Sequence, residues 1–197
     1  MPSCPHCNSR PDFGVDTQHG AKYGDSMQAP SSETLQSLVD RQSIAELIYR
    51  YCRAVDRLDV PLGHSVWHEE GYADYGSDFY QGPGRGVIDL ICKQHLGTLH
   101  HSHQISNILI ELDGDRAGSE AYCTMSMRIM QGPKLVQITV WSRYVDQWSR
   151  RNQCWGLDRR IVIRDFDEIR DVTETRRYDR GKRDSSDPSY AVLSSHK

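Results

Sequence analysis

Residues 103–110 read His-Gln-Ile-Ser-Asn-Ile-Leu-Ile, and the period of that run decides the fold. Strict alternation places His103, Ile105, Asn107 and Leu109 on one face of an extended strand. Further runs of the same period follow, so strands are expected over His101–Leu112, Gly118–Gln131, Leu135–Trp148 and Cys154–Asp165. Turns at Asp113-Gly114-Asp115 and Gly132-Pro133 separate the first strands. Upstream the period is helical. Ile44, Leu47, Ile48, Tyr51, Cys52 and Val55 recur on one stripe, which predicts a long amphipathic helix. It begins at Ser31 or Ser32, carries Glu33 in its first turn and ends near Leu58. A short second helix over Val60–Trp67, a brief strand over Tyr72–Tyr75 and a turn at Gln81-Gly82-Pro83-Gly84 come next. A third helix over Arg85–Leu99 turns Val87, Ile88, Ile91 and Cys92 inward. Helices first and antiparallel strands afterwards imply an α+β fold, a strongly curved antiparallel sheet wrapped around the N-terminal helices. No internal repeat is present.

The chain has 197 residues, 37% hydrophobic and 26% charged, with a mean hydropathy of -0.67. No window approaches the roughly 18 apolar residues of a membrane-spanning helix. Four Trp, 10 Tyr and several aliphatic runs argue against wholesale disorder. The low apolar share is explained first by polar ends. Residues 1–31 are expected to form a disordered polar extension, 32–168 the patterned domain, and 169–197 a polar tail, either loose or an arm over a neighbouring subunit. A net charge of -3 offers no basic excess for phosphates, so nucleic acid is not an expected partner. The cluster Arg176, Arg177, Arg180, Lys182 and Arg183 is interleaved with acids and reads as a solvated tail. With no apolar leader, the cytoplasm is the expected compartment. Cys4-Pro5-His6-Cys7 is half a zinc knuckle without a second pair at ligand spacing.

Three positions break the apolar pattern. Asp56 lies four residues after Cys52 and eight after Ile48, so it either continues the buried stripe or sits at a frayed helix end in water. Buried, a carboxylate needs a partner. His103 shares its face with aliphatic residues, where a satisfied core histidine is the bland reading and a functional one the sharper. His100, His101 and His103 do not make a metal set, because adjacent strand residues point to opposite faces. In the last strand, alternation groups Arg159 with Trp155, Leu157, Ile161 and Ile163, and Arg160 with Asp158 and Val162. That favours Arg159 for the interior.

These residues also carry a resemblance. Leu47–Asp56 (Leu-Ile-Tyr-Arg-Tyr-Cys-Arg-Ala-Val-Asp) is similar to the first helix of the SnoaL-like branch of the nuclear transport factor 2-like superfamily. Ala73-Asp74-Tyr75-Gly76, Gly82-Pro83-Gly84-Arg85, His103 with Asn107, Ser142-Arg143-Tyr144-Val145-Asp146 and the Trp155 to Arg160 strand resemble it in the same order. The resemblance spans residues 34 to 168. It implies a cone-shaped fold with an apolar pocket, found in dehydratases, a dehydrochlorinase, ketosteroid isomerase, polyketide cyclases and non-catalytic dioxygenase subunits. In the lyases an aspartate ending the first helix pairs with a sheet histidine, and Asp56 and His103 match those positions. Tyr51 matches a tyrosine five residues before that aspartate in bile-acid dehydratases, and Tyr75 stands about where scytalone dehydratase has a substrate-polarising tyrosine. Arg160, not Arg159, matches the family's closing-strand arginine, which a strand bulge would reconcile with alternation. The chain departs from scytalone dehydratase in lacking a histidine on the Gly118–Gln131 strand.

What the resemblance implies is a cofactor-independent lyase. It would eliminate water or halide from a hydrophobic cyclic or polycyclic substrate, with Asp56, His103, Tyr51 and Arg160 as catalytic residues and no metal. Tyr75, Tyr72, Trp67, Trp141 and Met127 are the expected pocket lining. An isomerase or cyclase, or a non-catalytic ligand-binding domain, is the alternative. A homodimer or homotrimer is expected from the family.

Overall fold

A computed structural model describes residues 31–173 and 181–193. The Cys4–Cys7 feature and the N-terminal extension lie outside the described residues. Helix α1 spans Ser32–Arg57 and α2 spans Val60–Ser65, followed by strand β1, Trp67–Asp74, and short strand β2, Gln81–Pro83. Helix α3 spans Gly84–His95, and strands β3 (His100–Asp113), β4 (Arg116–Gln131), β5 (Lys134–Arg151) and β6 (Cys154–Asp171) follow, with a short α4 at Pro188–Leu193. The six strands form one curved sheet in the order β2-β1-β6-β5-β4-β3. All neighbours are antiparallel except β1 and β6. None of the described helices is long and apolar enough to cross a membrane.

The amphipathic stripe of α1 is buried as its spacing requires: Ile44, Ile48, Tyr51, Cys52 and Val55 join Val87, Ile88 and Ile91 of α3 in one core. Asp59 caps α2 by accepting the Leu62 N–H at 3.0 Å. Helix α2 stops at Ser65, two residues short of expectation, because Trp67 opens β1 opposite Leu157. The expected turn at residues 81–84 contains β2, which pairs with β1. Helix α3 ends at His95, before Leu99, where Gly97 and Thr98 turn the chain into β3.

Three bulges set which side chains enter the interior. Asn107 and Ile108 together face Ala121, with Asn107 at φ 50°, a left-handed conformation that asparagine tolerates. The parity of β3 therefore flips there. Asn107 and Leu109 turn outward while Ile108, Ile110 and Leu112 pack on the core. This corrects the expectation that Asn107 and Leu109 share the face of His103. A second bulge leaves Asp158 unpaired between Leu157 and Arg159, and a third leaves Asp165 unpaired.

The C-terminal residues correct the picture of a loose tail. Strand β6 continues to Asp171, beyond residue 168. Arg183 donates to the carbonyls of His95 and Thr98, Tyr190 donates to Asp59 at 2.7 Å, and Arg53 reaches Ser189 at 3.0 Å. Residues 181–193 thus fasten onto α1 and the end of α3 of their own chain.

Gly84 packs flat against Trp67: a Cβ there would lie 2.1 Å from the indole. The strand glycine Gly118 has open space around it. We expect Gly84→Ala to lose about 1–3 kcal/mol in urea unfolding, and Gly118→Ala to match or exceed the parent protein.

Candidate active site

The end of α1 and the middle of β3 meet at Asp56. Its Oδ1 accepts from Nδ1 of His103 at 2.7 Å, and its Oδ2 accepts the His103 backbone N–H at 3.0 Å. Both side chains are largely enclosed, at 14% and 9% exposure. Asp56 is therefore on the buried stripe and not at a frayed end. Burial alone disfavours the imidazolium, but the hydrogen bond and charge of Asp56 outweigh it, so the His103 pKa stands above the ordinary histidine value. With Nδ1 committed to Asp56, the free position is Nε2, for which the described residues supply no hydrogen-bond partner. His101 flanks the pair and donates Nε2–H to the Val55 carbonyl at 2.7 Å, which pins the last turn of α1.

His103 lines an open cavity of about 500 Å³ bordered by α1, α3, β3–β6 and the loop after β1. Tyr51 and Val55 contribute from α1, Ile91, Gln94 and His95 from α3, and Tyr75 and Phe79 from the loop. Cys123, Met125 and Met127 of β4 and Val140, Ser142 and Tyr144 of β5 form the sheet wall. The lining mixes apolar side chains with polar ones, among them Asp78, Thr98 and Arg164.

Tyr51 and Tyr75 share a short hydrogen bond between their hydroxyls. Burial raises the Tyr75 pKa to about 12, against the charge of Arg160, and pushes Tyr51 well above its usual value. Both remain neutral phenols. Two hydroxyl protons serve one bond between them, so one O–H is left to donate into the cavity.

Arg160 is fully buried, whereas Arg159 is exposed and lies over the Tyr72 ring at 5.6 Å. Strict alternation is overturned here by the unpaired Asp158, which shifts the parity of β6 so that Trp155, Leu157 and Arg160 all face inward. Arg160 forms a bidentate pair with Asp146, at 2.8 and 2.7 Å. Its guanidinium lies 4.2 Å from the Tyr51 ring centroid and 4.0 Å from that of Tyr144. It stands behind the tyrosines and not on the cavity surface, so its charge acts through them.

Of the expected lining, Tyr75 and Met127 face the cavity; Trp67, Tyr72 and Trp141 do not. Trp67 is wedged behind Tyr51 against Gly84. Tyr72 turns outward because Gly71 and Ala73 take the inner positions of β1. Trp141 stacks on Phe166 at 4.8 Å, beside the Asp165 bulge. Asp146 was missed although a signal existed. Ser142, Tyr144, Asp146 and Trp148 alternate on one face, and all four are buried. Among the described residues no group of three or more His, Cys, Asp or Glu side chains is arranged to hold a metal ion.

A curved sheet folded over helices thus holds a carboxylate–imidazole pair on the wall of a cavity. Residues 36–161 match the model of the SnoaL-like domain, and the chain belongs to that family. No curated protein matches it significantly. A protein from Novosphingobium aromaticivorans assigned as a scytalone dehydratase superposes with a TM-score of 0.61 at 16% identity, over 74% of this chain and 99% of its own. The hexachlorocyclohexane dehydrochlorinase LinA-type3 from Novosphingobium barchaimii gives 0.61 at 17% identity, covering 74% and 98%. A protein from Streptomyces avermitilis named as a dehydratase from the NTF2-like family gives 0.54 at 13%, covering 63% and 95%. At these identities the likeness is one of fold.

The Arg160–Asp146 pair makes a stability prediction. Arg160→Met leaves Asp146 buried and unpaired, and is expected to cost about 3–5 kcal/mol in denaturant titration. Replacing Asp146 with Leu in the same chain should recover most of that loss.

Proposed function

We propose that the protein is a lyase that eliminates water, or a halide, from a hydrophobic cyclic or polycyclic substrate bound in the cavity. The observation that carries this reading is the orientation of His103: Nδ1 is held by Asp56 while Nε2 is free and the ring lines the cavity. A base so oriented removes a proton from a carbon beside a carbonyl or leaving group. The free hydroxyl of the Tyr51–Tyr75 pair binds the substrate oxygen on which negative charge develops, and the Arg160 charge behind the rings favours that charge. The electron pair of the broken C–H bond forms the new double bond. His103 then passes its proton to the departing hydroxyl, and water leaves. The names of the dehydratase and dehydrochlorinase neighbours agree with this chemistry.

The test is turnover of a panel of fused-ring β-hydroxy ketones and halogenated alicyclic compounds, followed by mass and absorbance. Substrate loss with release of water or halide is expected, and a shifted double bond without mass loss would assign an isomerase instead. His103→Asn, whose amide still donates to Asp56, should lower kcat by about 10²–10⁴-fold with the thermal transition largely retained; near-parental activity in that variant would refute the mechanism.

The pH profile supplies an independent check. His103 acts unprotonated and its pKa is raised, so kcat/KM is expected to climb with pH to a plateau, with its inflection above the ordinary histidine value of 6.5. Asp56→Asn removes the charge that raises the pKa and should move the inflection to lower pH.

A further inference from the structure

Three imidazoles stand side by side, His95, His101 and His103, with successive ring centroids 4.4 and 6.2 Å apart. The elimination uses only the last. The His101 side chain is fully buried, and its Nε2 lies 4.0 Å from Oδ1 of Asp56, the same oxygen that holds His103. Two imidazoles therefore compete for one carboxylate. His101 is tied elsewhere: Nε2–H donates to the Val55 carbonyl at 2.7 Å, and Nδ1 lies 3.4 Å from Oγ1 of the buried Thr98. Thr98 is gripped in turn by Arg183, a member of the basic cluster that reads as a solvated tail in the sequence. Nη1 of Arg183 donates to Thr98 Oγ1 at 3.0 Å and to the His95 carbonyl at 2.7 Å, and Nη2 donates to the Thr98 carbonyl at 2.8 Å. We propose that His101 and Arg183 are positioning residues of the active site: His101, kept a neutral imidazole by Arg183 acting through Thr98, fixes the turn that carries Asp56 and leaves that carboxylate to His103 alone. The proposal rests on the reading of His103 as the base.

A second proton on His101 would set an imidazolium 4.0 Å from Asp56 and divide the carboxylate between two cations. The surroundings oppose that proton. The Thr98 hydroxyl gives its own proton to the His95 carbonyl at 2.8 Å and receives one from Arg183, so Nδ1 of His101 faces an oxygen polarised by a guanidinium. From α3 the His95 ring packs against it, brought down to about 4 by burial and so neutral at pH 7. His103 flanks it on β3, and its register partner on β4 is the uncharged Met127. Only Asp56 and the Val55 carbonyl favour the charged form. Burial, with the charges of His103 and Arg183, outweighs them and holds His101 below the ordinary histidine value, while His103 stands above it. The two rings titrate apart, and Asp56 keeps one partner.

Ring ¹⁵N shifts of the histidines in the full-length protein, followed through a pH titration, test this without turnover. His101 is expected to keep its proton on Nε2 and to titrate below His103. Arg183→Gln should move the His101 inflection upward toward that of His103, and Arg183→Lys, which keeps the charge, should retain the parental order. His101→Leu, which frees the Val55 carbonyl, should lower the His103 inflection. His101→Gln keeps a donor for that carbonyl and should restore it. A parent protein in which His101 titrates with or above His103 overturns the proposal, and that measurement needs no variant to fold. Titrations that stay parental in Arg183→Gln also overturn it, whatever the variant does to the thermal transition, because a purely structural clamp would leave the curves unmoved. Titrations as expected without turnover of the substrate panel refute the lyase reading alone. Turnover with unmoved titrations refutes this proposal alone.

Discussion

The structure depends on how one buried carboxylate is satisfied. Asp56 ends the apolar stripe of α1, where an unpaired charge would cost several kcal/mol in desolvation. Both of its oxygens are engaged by a single residue of the sheet, through the backbone N–H and the ring of His103. That arrangement joins helix to sheet and fixes the imidazole at once. It selects the tautomer with the proton on Nδ1, holds the ring against rotation and leaves Nε2 facing the cavity. The contact that stabilises the fold therefore also prepares the base.

A second buried pair repeats the logic one layer deeper. Arg160 and Asp146 neutralise each other between β5 and β6, and the guanidinium supports two tyrosine rings. Burial pushes the Asp146 carboxyl above its ordinary value, and the adjacent guanidinium offsets only part of that rise. At Tyr51 and Tyr75 the cavity consequently meets neutral phenols in front of a fixed cation, while Arg164 of β6 lines it elsewhere. Such a layer offers a donor to a carbonyl oxygen while its own cation stays buried.

Much of this was legible in the sequence, for identifiable reasons. The stripe Ile44–Val55 and the period-two runs gave helices and strands in the right order, since both signals come from burial on one side of an element. Asp56 and His103 stood out because each broke an apolar pattern. What alternation misread are the places where a bulge changes parity. Asp158 carries Arg160 inward and Arg159 outward, and the pair Asn107 and Ile108 sends Asn107 and Leu109 to the outer face. A bulge depends on twist and closure of the whole sheet, which no local window contains. The aromatic residues misled for another reason: Trp67 and Trp141 are large enough to line a cavity, yet neighbouring glycine and phenylalanine surfaces claim them.

The central claim is that Asp56 sets the proton state of His103. ¹⁵N chemical shifts of the His103 ring, followed through a pH titration of the parent protein and of Asp56→Asn, measure this directly. The account predicts Nδ1 protonated throughout, Nε2 as the titrating atom, and a pKa above the ordinary histidine value that falls when the charge of Asp56 is removed. A neutral form protonated on Nε2, or a pKa that is the same in both proteins, would contradict it.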